Sequence, residues 1–319
     1  VTIVTTHLAH LAHRPLALLP SAIDSFALRF AEPAALAPQP EATRFVGARP
    51  AGAPYRAQGE TAIISILNPL VGREGQGWGT TSYEFLSFAI ESAASDPKVR
   101  SLLLDLDSPG GHVTGMTELA STIRRVNSSK PVTASVNGLC CSAGYCLASA
   151  ARSIVTTPSS TIGSIGVVMV HGDFSRALDK AGVTPSLVFA GAKKTQGNMY
   201  QPLSQDDRAA LQKEVDGFYS ILCASVAAGR GYRLTESAAR STEAATYIGK
   251  DAVKAGLADT IGGFDQALAS ARRAGVGATQ HVVSLPPAAS APKPQPKAEE
   301  AVCWDAIVSE LNRKLHPWR

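Results

Sequence analysis

Charge of one sign, aromatic residues and long apolar runs are all scarce in this 319-residue chain. Aromatic residues make up 6% and charged residues 18%. The 30 basic and 26 acidic side chains leave a net charge of only +4, spread along the chain, so there is no basic stripe for a nucleic acid. No apolar run approaches the roughly 20 residues of a membrane span. The first residues, VTIVTTHLAHLAHRPLALLP, lack the ordered basic, apolar and cleavage regions of a secretory signal. A cytoplasmic protein is expected, or one inside an assembly built there. Cysteine is sparse and unevenly placed. Cys140, Cys141 and Cys146 crowd one segment, and Cys223 and Cys303 are distant. Adjacent cysteines make poor disulfide partners, and CCxxxxC without a nearby histidine is a poor zinc pattern. Small buried thiols are expected, with no metal and no cofactor. His7, His10 and His13 recur at three-residue spacing but have no carboxylate or cysteine companion.

What is present is an ordinary globular composition, 45% apolar, long enough for one or two domains. Residues 1–60 are rich in Ala and Pro and read as an N-terminal extension and linker, with a helix from about Ser21 to Phe30. Residues 61–275 carry the regular patterns. Residues 276–319 read as a Pro/Ala-rich linker and a short helical tail, with the linker at 284–300 a plausible self-cleavage site. Buried-strand patterns start at Thr61, at Lys98 and at Val132, and each is followed by a helical pattern: Ser82 to Ala94, Thr114 to Val126, and Leu147 onward. Such alternation predicts a parallel sheet with helices packed on it. Further strands are expected at Ile154–Thr156, Ile165–Val170 and Leu187–Ala190, and a helix from Phe174 to Ala181. A long helix is expected from Leu203, capped by Ser204. The loop Gly72–Gly79 lacks the Lys-Ser/Thr ending of a phosphate loop and reads as a surface flap.

Active groups in such a sheet belong at the carboxyl ends of the strands. Two stretches fall there. One is Ser108-Pro109-Gly110-Gly111, whose glycines let backbone N–H groups approach a carbonyl without a Cβ in the way. The other follows an expected Asn137-Gly138 turn: Ser142 sits among small residues just before a helix, where unpaired N–H groups and positive partial charge favour an oxyanion. A plain small-residue packing turn explains that stretch equally well. A serine nucleophile needs a base. His112 or His171, with Asp105, Asp107 or Asp173, is one choice. A desolvated Lys193 or Lys194 is the other.

SPGG at 108–111, NG…SAGYxLASAA at 137–151, TIGSIGV at 161–167 and GAKK at 191–194 occur in this order. Together they resemble the S49 serine peptidases of the signal peptide peptidase A type, over about Thr61 to Ala274. The N-terminal phrase HRPLALLPSAIDSF is similar to the phage and prophage branch that includes capsid assembly proteases. The resemblance implies a ClpP/crotonase-like α/β fold built from repeated ββα units. It makes Ser142 the nucleophile and Lys194 the general base, and has Ser164 orient the lysine amine. The backbone N–H groups of Gly110, Gly111 and Ala143 become the oxyanion donors. Thr195 stands where the family often has Asp, so pairing around the lysine is expected to differ. The resemblance further implies a homo-oligomer acting on polypeptides such as scaffold or portal-associated proteins, and the small, spread-out charge leaves no nucleic-acid partner expected. Three other readings stand beside it: a host signal-peptide or protein-degrading peptidase, a crotonase-type acyl-CoA enzyme, and a non-catalytic phage head protein.

Overall fold

The computed structural model describes residues 14–23, 53–73 and 79–278. The three histidines near the start, most of the expected 21–30 helix, most of the 72–79 loop and the tail lie outside these residues.

Two sheets carry the described fold. The larger has β2 (Arg56–Gln58), β3 (Thr61–Leu67), β6 (Ser101–Ser108), β8 (Val132–Cys141), β10 (Thr161–Gly163) and β11 (Thr246–Ile248) in the order β11-β10-β8-β6-β3-β2. Strand β9 (Ser153–Thr156) pairs with the first half of β8, and β12 (Thr260–Ile261) pairs with β9. The central pairs β3·β6, β6·β8 and β8·β10 are parallel; the outer pairs β2·β3 and β10·β11 are antiparallel. Strands buried on both faces read as nearly unbroken apolar runs, and TAIISIL and SLLLDL do so. On one face, α8 (Phe264–Ala278) packs through Phe264, Ala267, Leu268 and Ala271 on Ile63, Leu103 and Val155. The other face carries α1 (Tyr83–Ser95), α2 (Met116–Asn127) and α3 (Ala143–Ser149) in the main core. This is the expected mixed α/β architecture with a parallel core.

The smaller sheet has the order β1-β7-β4-β5, from β1 (Leu16–Leu18), β7 (Gly110–His112), β4 (Leu70–Val71) and β5 (Thr81–Ser82). The sequence reading has no strand at 16–18.

Helix starts follow their caps. The Ser82 hydroxyl accepts from the Phe85 N–H at 3.0 Å, and that of Ser204 from the Asp207 N–H at 3.0 Å, opening α5 (Gln205–Arg230). The short helices α4 (Ser175–Lys180), α6 (Glu236–Ser241) and α7 (Lys250–Lys254) complete the set among the described residues.

Three local expectations are corrected. Asn137-Gly138 is no turn. Strand β8 runs through it, and its register against β6 jumps between Leu106–Val136 and Ser108–Cys140. The Asp107 carboxylate accepts from the Leu139 N–H at 2.9 Å and fills the space over Gly138, so the extra residues form a bulge. Residues 165–170 make only isolated bridges, one of them Leu16–Val168. Residues 187–190 form no strand: no neighbouring strand pairs with them, and Val188 is 99% exposed.

Candidate active site

Ser142 stands between the last residue of β8 and the first of α3. It is fully buried, with φ 55° and ψ −114°. Positive φ is uncommon outside glycine and costs about 1–3 kcal/mol. The surroundings hold it there. Its N–H donates to the Gly163 carbonyl at 2.7 Å, and its own carbonyl accepts from the Cys146 N–H at 2.9 Å. Its hydroxyl donates to the Gly166 carbonyl at 3.1 Å.

The Ser108–Gly111 turn presses against this elbow. A Cβ on Gly144 would stand 3.2 Å from the Ser108 carbonyl oxygen, and one on Gly110 would stand 3.1 Å from that of Cys141. The small residues of both stretches are therefore what lets them touch. Gly110 has φ 105°, and its N–H makes a long 3.3 Å bond to the Ser108 hydroxyl, which itself donates to the Asn68 carbonyl at 2.7 Å. Ser164 belongs to the same corner. It follows Gly163 with φ 51°, is 3% exposed, and donates its N–H to the Ala245 carbonyl at 2.9 Å. The structure thus brings Ser142, Ala143, Ser164, Gly110 and Gly111 together.

Lys194 is not among them. It lies exposed beside Lys193 in a run of turns, its N–H bonded to the Gly191 carbonyl at 2.9 Å, and its amine makes no bond to Ser142 among the described residues. From 166 to 203 only Gly197 is buried. A single chain therefore does not supply the desolvation that a neutral lysine needs.

The histidine alternative finds no closed triad either. The Ser142 hydroxyl is engaged by Gly166. His112 lies buried in β7, and burial, helped by the positive charge of Arg14, lowers its imidazole to about 4. Burial pushes the Asp105 carboxyl up against a hydrogen bond from Asn137. Asp173 is exposed and accepts from the Ser175 N–H. Cys141, next to the serine, is no rival nucleophile, since burial pushes its thiol up to about 12. Among the described residues no group of three or more His, Cys, Asp or Glu could hold a metal. No described helix is long and apolar enough to cross a membrane.

Sequence reasoning missed the Gly163 and Gly166 carbonyls that seat Ser142. The glycine punctuation of TIGSIG was their only trace.

Residues 124–277 match the model of peptidase family S49. The chain is similar to capsid assembly protease C of Escherichia phage lambda, 40% identical over 210 residues that cover 65% of this chain and 47% of the relative. It is also similar to head-tail preconnector protein GP5 of Enterobacteria phage P21, 37% identical over 218 residues covering 67% and 43%. Protease 4 of Salmonella typhi is 31% identical over 214 residues, covering 67% and 34%. The chain spans less than half the length of each of these relatives. With a buried serine at a strand–helix elbow inside the matched region, the chain carries a peptidase family S49 domain.

Proposed function

We propose that this chain is a serine endopeptidase that cleaves polypeptides through an acyl-enzyme on Ser142, with Lys194 as general base. The observation that carries the reading is the elbow: a buried serine in a strained conformation, at a helix start, against a glycine turn. Strain of this kind persists only where surrounding structure over-determines it, and it clusters at reactive sites. The hydroxyl attacks a peptide carbonyl while the lysine takes its proton. The N–H groups of Ala143 and of the Gly110-Gly111 turn stabilise the oxyanion, the lysine returns the proton to the leaving amine, and water releases the acyl group. Ser164 orients the lysine amine.

The exposure of Lys194 adds a condition. The 166–203 segment carries Val188 and Phe189 into solvent, 99% and 52% exposed. Docking of that segment would have to desolvate the lysine and also carry its amine to the Ser142 hydroxyl, which here donates to Gly166. We assign that docking to another copy of the chain, so that assembly and activation of the base are one event. The phage relatives support a role in head maturation, with scaffold-type proteins or the chain itself as substrate.

The test is mass spectrometry of casein digests by the wild-type chain, Ser142→Ala and Lys194→Ala, each run beside the protein alone. Fragments from the wild type and none from either variant are expected. Equal fragments from all three would overturn the assignment.

A further inference from the structure

We infer that Leu16–Leu18 sits in the channel through which a peptide substrate reaches Ser142, and that this channel accepts extended segments with an aliphatic, a small and an aliphatic residue in succession. The inference rests on the Ser142 reading above.

A peptide must be extended to present its carbonyl to a nucleophile, and extended peptides are commonly held by adding a strand to a sheet edge. β7 begins at the Gly110-Gly111 turn. Against it runs β1, antiparallel, with Leu18 opposite Gly110, Ala17 opposite Gly111 and Leu16 opposite His112. On the far side of β1, Leu16 exchanges both backbone bonds with Val168, each at 2.9 Å. Val168 lies two residues beyond Gly166, the residue that holds the Ser142 hydroxyl. Just past the strand, the Leu19 N–H donates to the Pro109 carbonyl at 2.8 Å. β1 is therefore gripped between two strips of backbone, and both strips lead to the serine corner.

The backbone groups along a strand alternate sides. Leu16 bonds toward Val168, so Ala17 faces β7. There a Cβ on Gly110 would meet the Ala17 carbonyl oxygen at 2.2 Å. The chain's own carbonyl thus lies against the turn that an incoming substrate has to use. β1 and a substrate strand cannot be seated together.

The side chains define what fits. Leu16 and Leu18 point to one face, into a cluster with Val71, flanked by Ala22, Ile23 and Val168. Ala17 points to the other face, into the main core, and is fully buried. A segment replacing β1 needs large aliphatic groups at the first and third places and a small one between them. A three-residue strand has no stability of its own, so the slot alone sets its place.

The test uses the full chain in a Ser142→Ala background and a fluorescein-labelled peptide copying residues 14–21, RPLALLPS. One variant, Leu16→Asp/Leu18→Asp, drives the strand out. A second, Leu16→Cys/Val168→Cys, pins it. A facing pair that exchanges both bonds has Cα atoms about 5.5 Å apart, within disulfide reach. Fluorescence polarisation should show the peptide binding the displaced variant and the reduced pinned variant. Oxidation of the pinned variant should weaken binding at least tenfold. With Ser142 restored, casein hydrolysis should follow the same order. Equal binding by oxidised and reduced pinned protein overturns the inference, as does a folded displaced variant that binds no peptide. If the displaced variant does not fold, the oxidised and reduced pair still decides. Binding in the expected order with hydrolysis in no form would count against the Ser142–Lys194 reading and leave the channel assignment standing.

Discussion

The Ser142 N–H is bonded to the Gly163 carbonyl at 2.7 Å, and this bond ties the elbow to the neighbouring strand β10. It helps hold a serine at φ 55°, where glycine would rest without strain. Ser142→Gly should therefore abolish peptide hydrolysis and yet be about 1 kcal/mol more stable than Ser142→Ala, which loses the same bond to Gly166 but keeps the strain, since relief of about 1–3 kcal/mol is partly offset by the freer unfolded chain. Urea denaturation of the two variants checks this. A glycine variant less stable than the alanine variant would mean that the elbow is unstrained.

The two glycines that shape the approach to this elbow differ in what surrounds them. A Cβ at position 111 would lie 1.9 Å from the Leu70 carbonyl oxygen, with no flexible group to give way. At position 138 it would meet the end of the exposed Asp107 side chain at 2.4 Å, which can swing aside and give up one hydrogen bond. Gly111→Ala should cost at least about 3 kcal/mol, beyond the usual range of single substitutions, and Gly138→Ala about 1 kcal/mol. Thermal unfolding of both variants gives the comparison.

How much of this was legible in the sequence depends on how far each residue's fate is local. The apolar runs of β3, β6 and β8 announce buried strands because both of their faces are covered. Ser82 and Ser204 announce helix starts because a cap acts within one turn. Asn137-Gly138 misled because that pair usually favours a tight turn, and here a carboxylate 30 residues earlier makes it a bulge. Leu187–Ala190 has strand propensity but no partner strand, and propensity without packing decides little. Leu16–Leu18 was invisible. Three residues are too few to show alternation, and its partners are Gly110–His112 and Val168. Within the site, the serine and glycine turns could be placed from pattern. The exposure of Lys194 could not, because it depends on what fails to pack over residues 166–203.

Arg230 is fully buried and makes a two-pronged pair with Asp259, at 2.9 and 3.0 Å, while also donating to the Gly256 carbonyl. Burial raises the Asp259 carboxyl, but the hydrogen bond and charge of Arg230, the Ile154 N–H and Arg233 outweigh it and hold it below the usual range. Removing one partner strands the other. Arg230→Ala should cost about 3–5 kcal/mol, and Arg230→Met with Asp259→Asn clearly less. A double-mutant cycle in urea measures the difference, and additive effects would sink the account.

Acid should loosen the fold through β7. The His112 imidazole is held at about 4 against 6.5 unfolded, so the unfolded chain takes up the proton first. Stability is therefore full above pH 6.5 and drains away as pH falls from there to about 4, by on the order of 3 kcal/mol. The paired Asp259 carboxylate adds a loss at still lower pH. Melting temperature against pH should fall more gently for His112→Gln between 6.5 and 4. Parallel curves would remove His112 from the explanation.

The bridge between Leu16 and Val168 also sets an order of events during folding. It closes a loop of about 150 residues, and contacts so far apart in sequence form slowly. The central parallel strands lie much nearer one another along the chain and can pair before the loop closes. Leu16–Leu18 is among the first described residues to be synthesised and among the last to find its place. During that interval the seat beside Gly110 stands open, so a freshly made chain could take up an extended segment there before its own strand closes the seat.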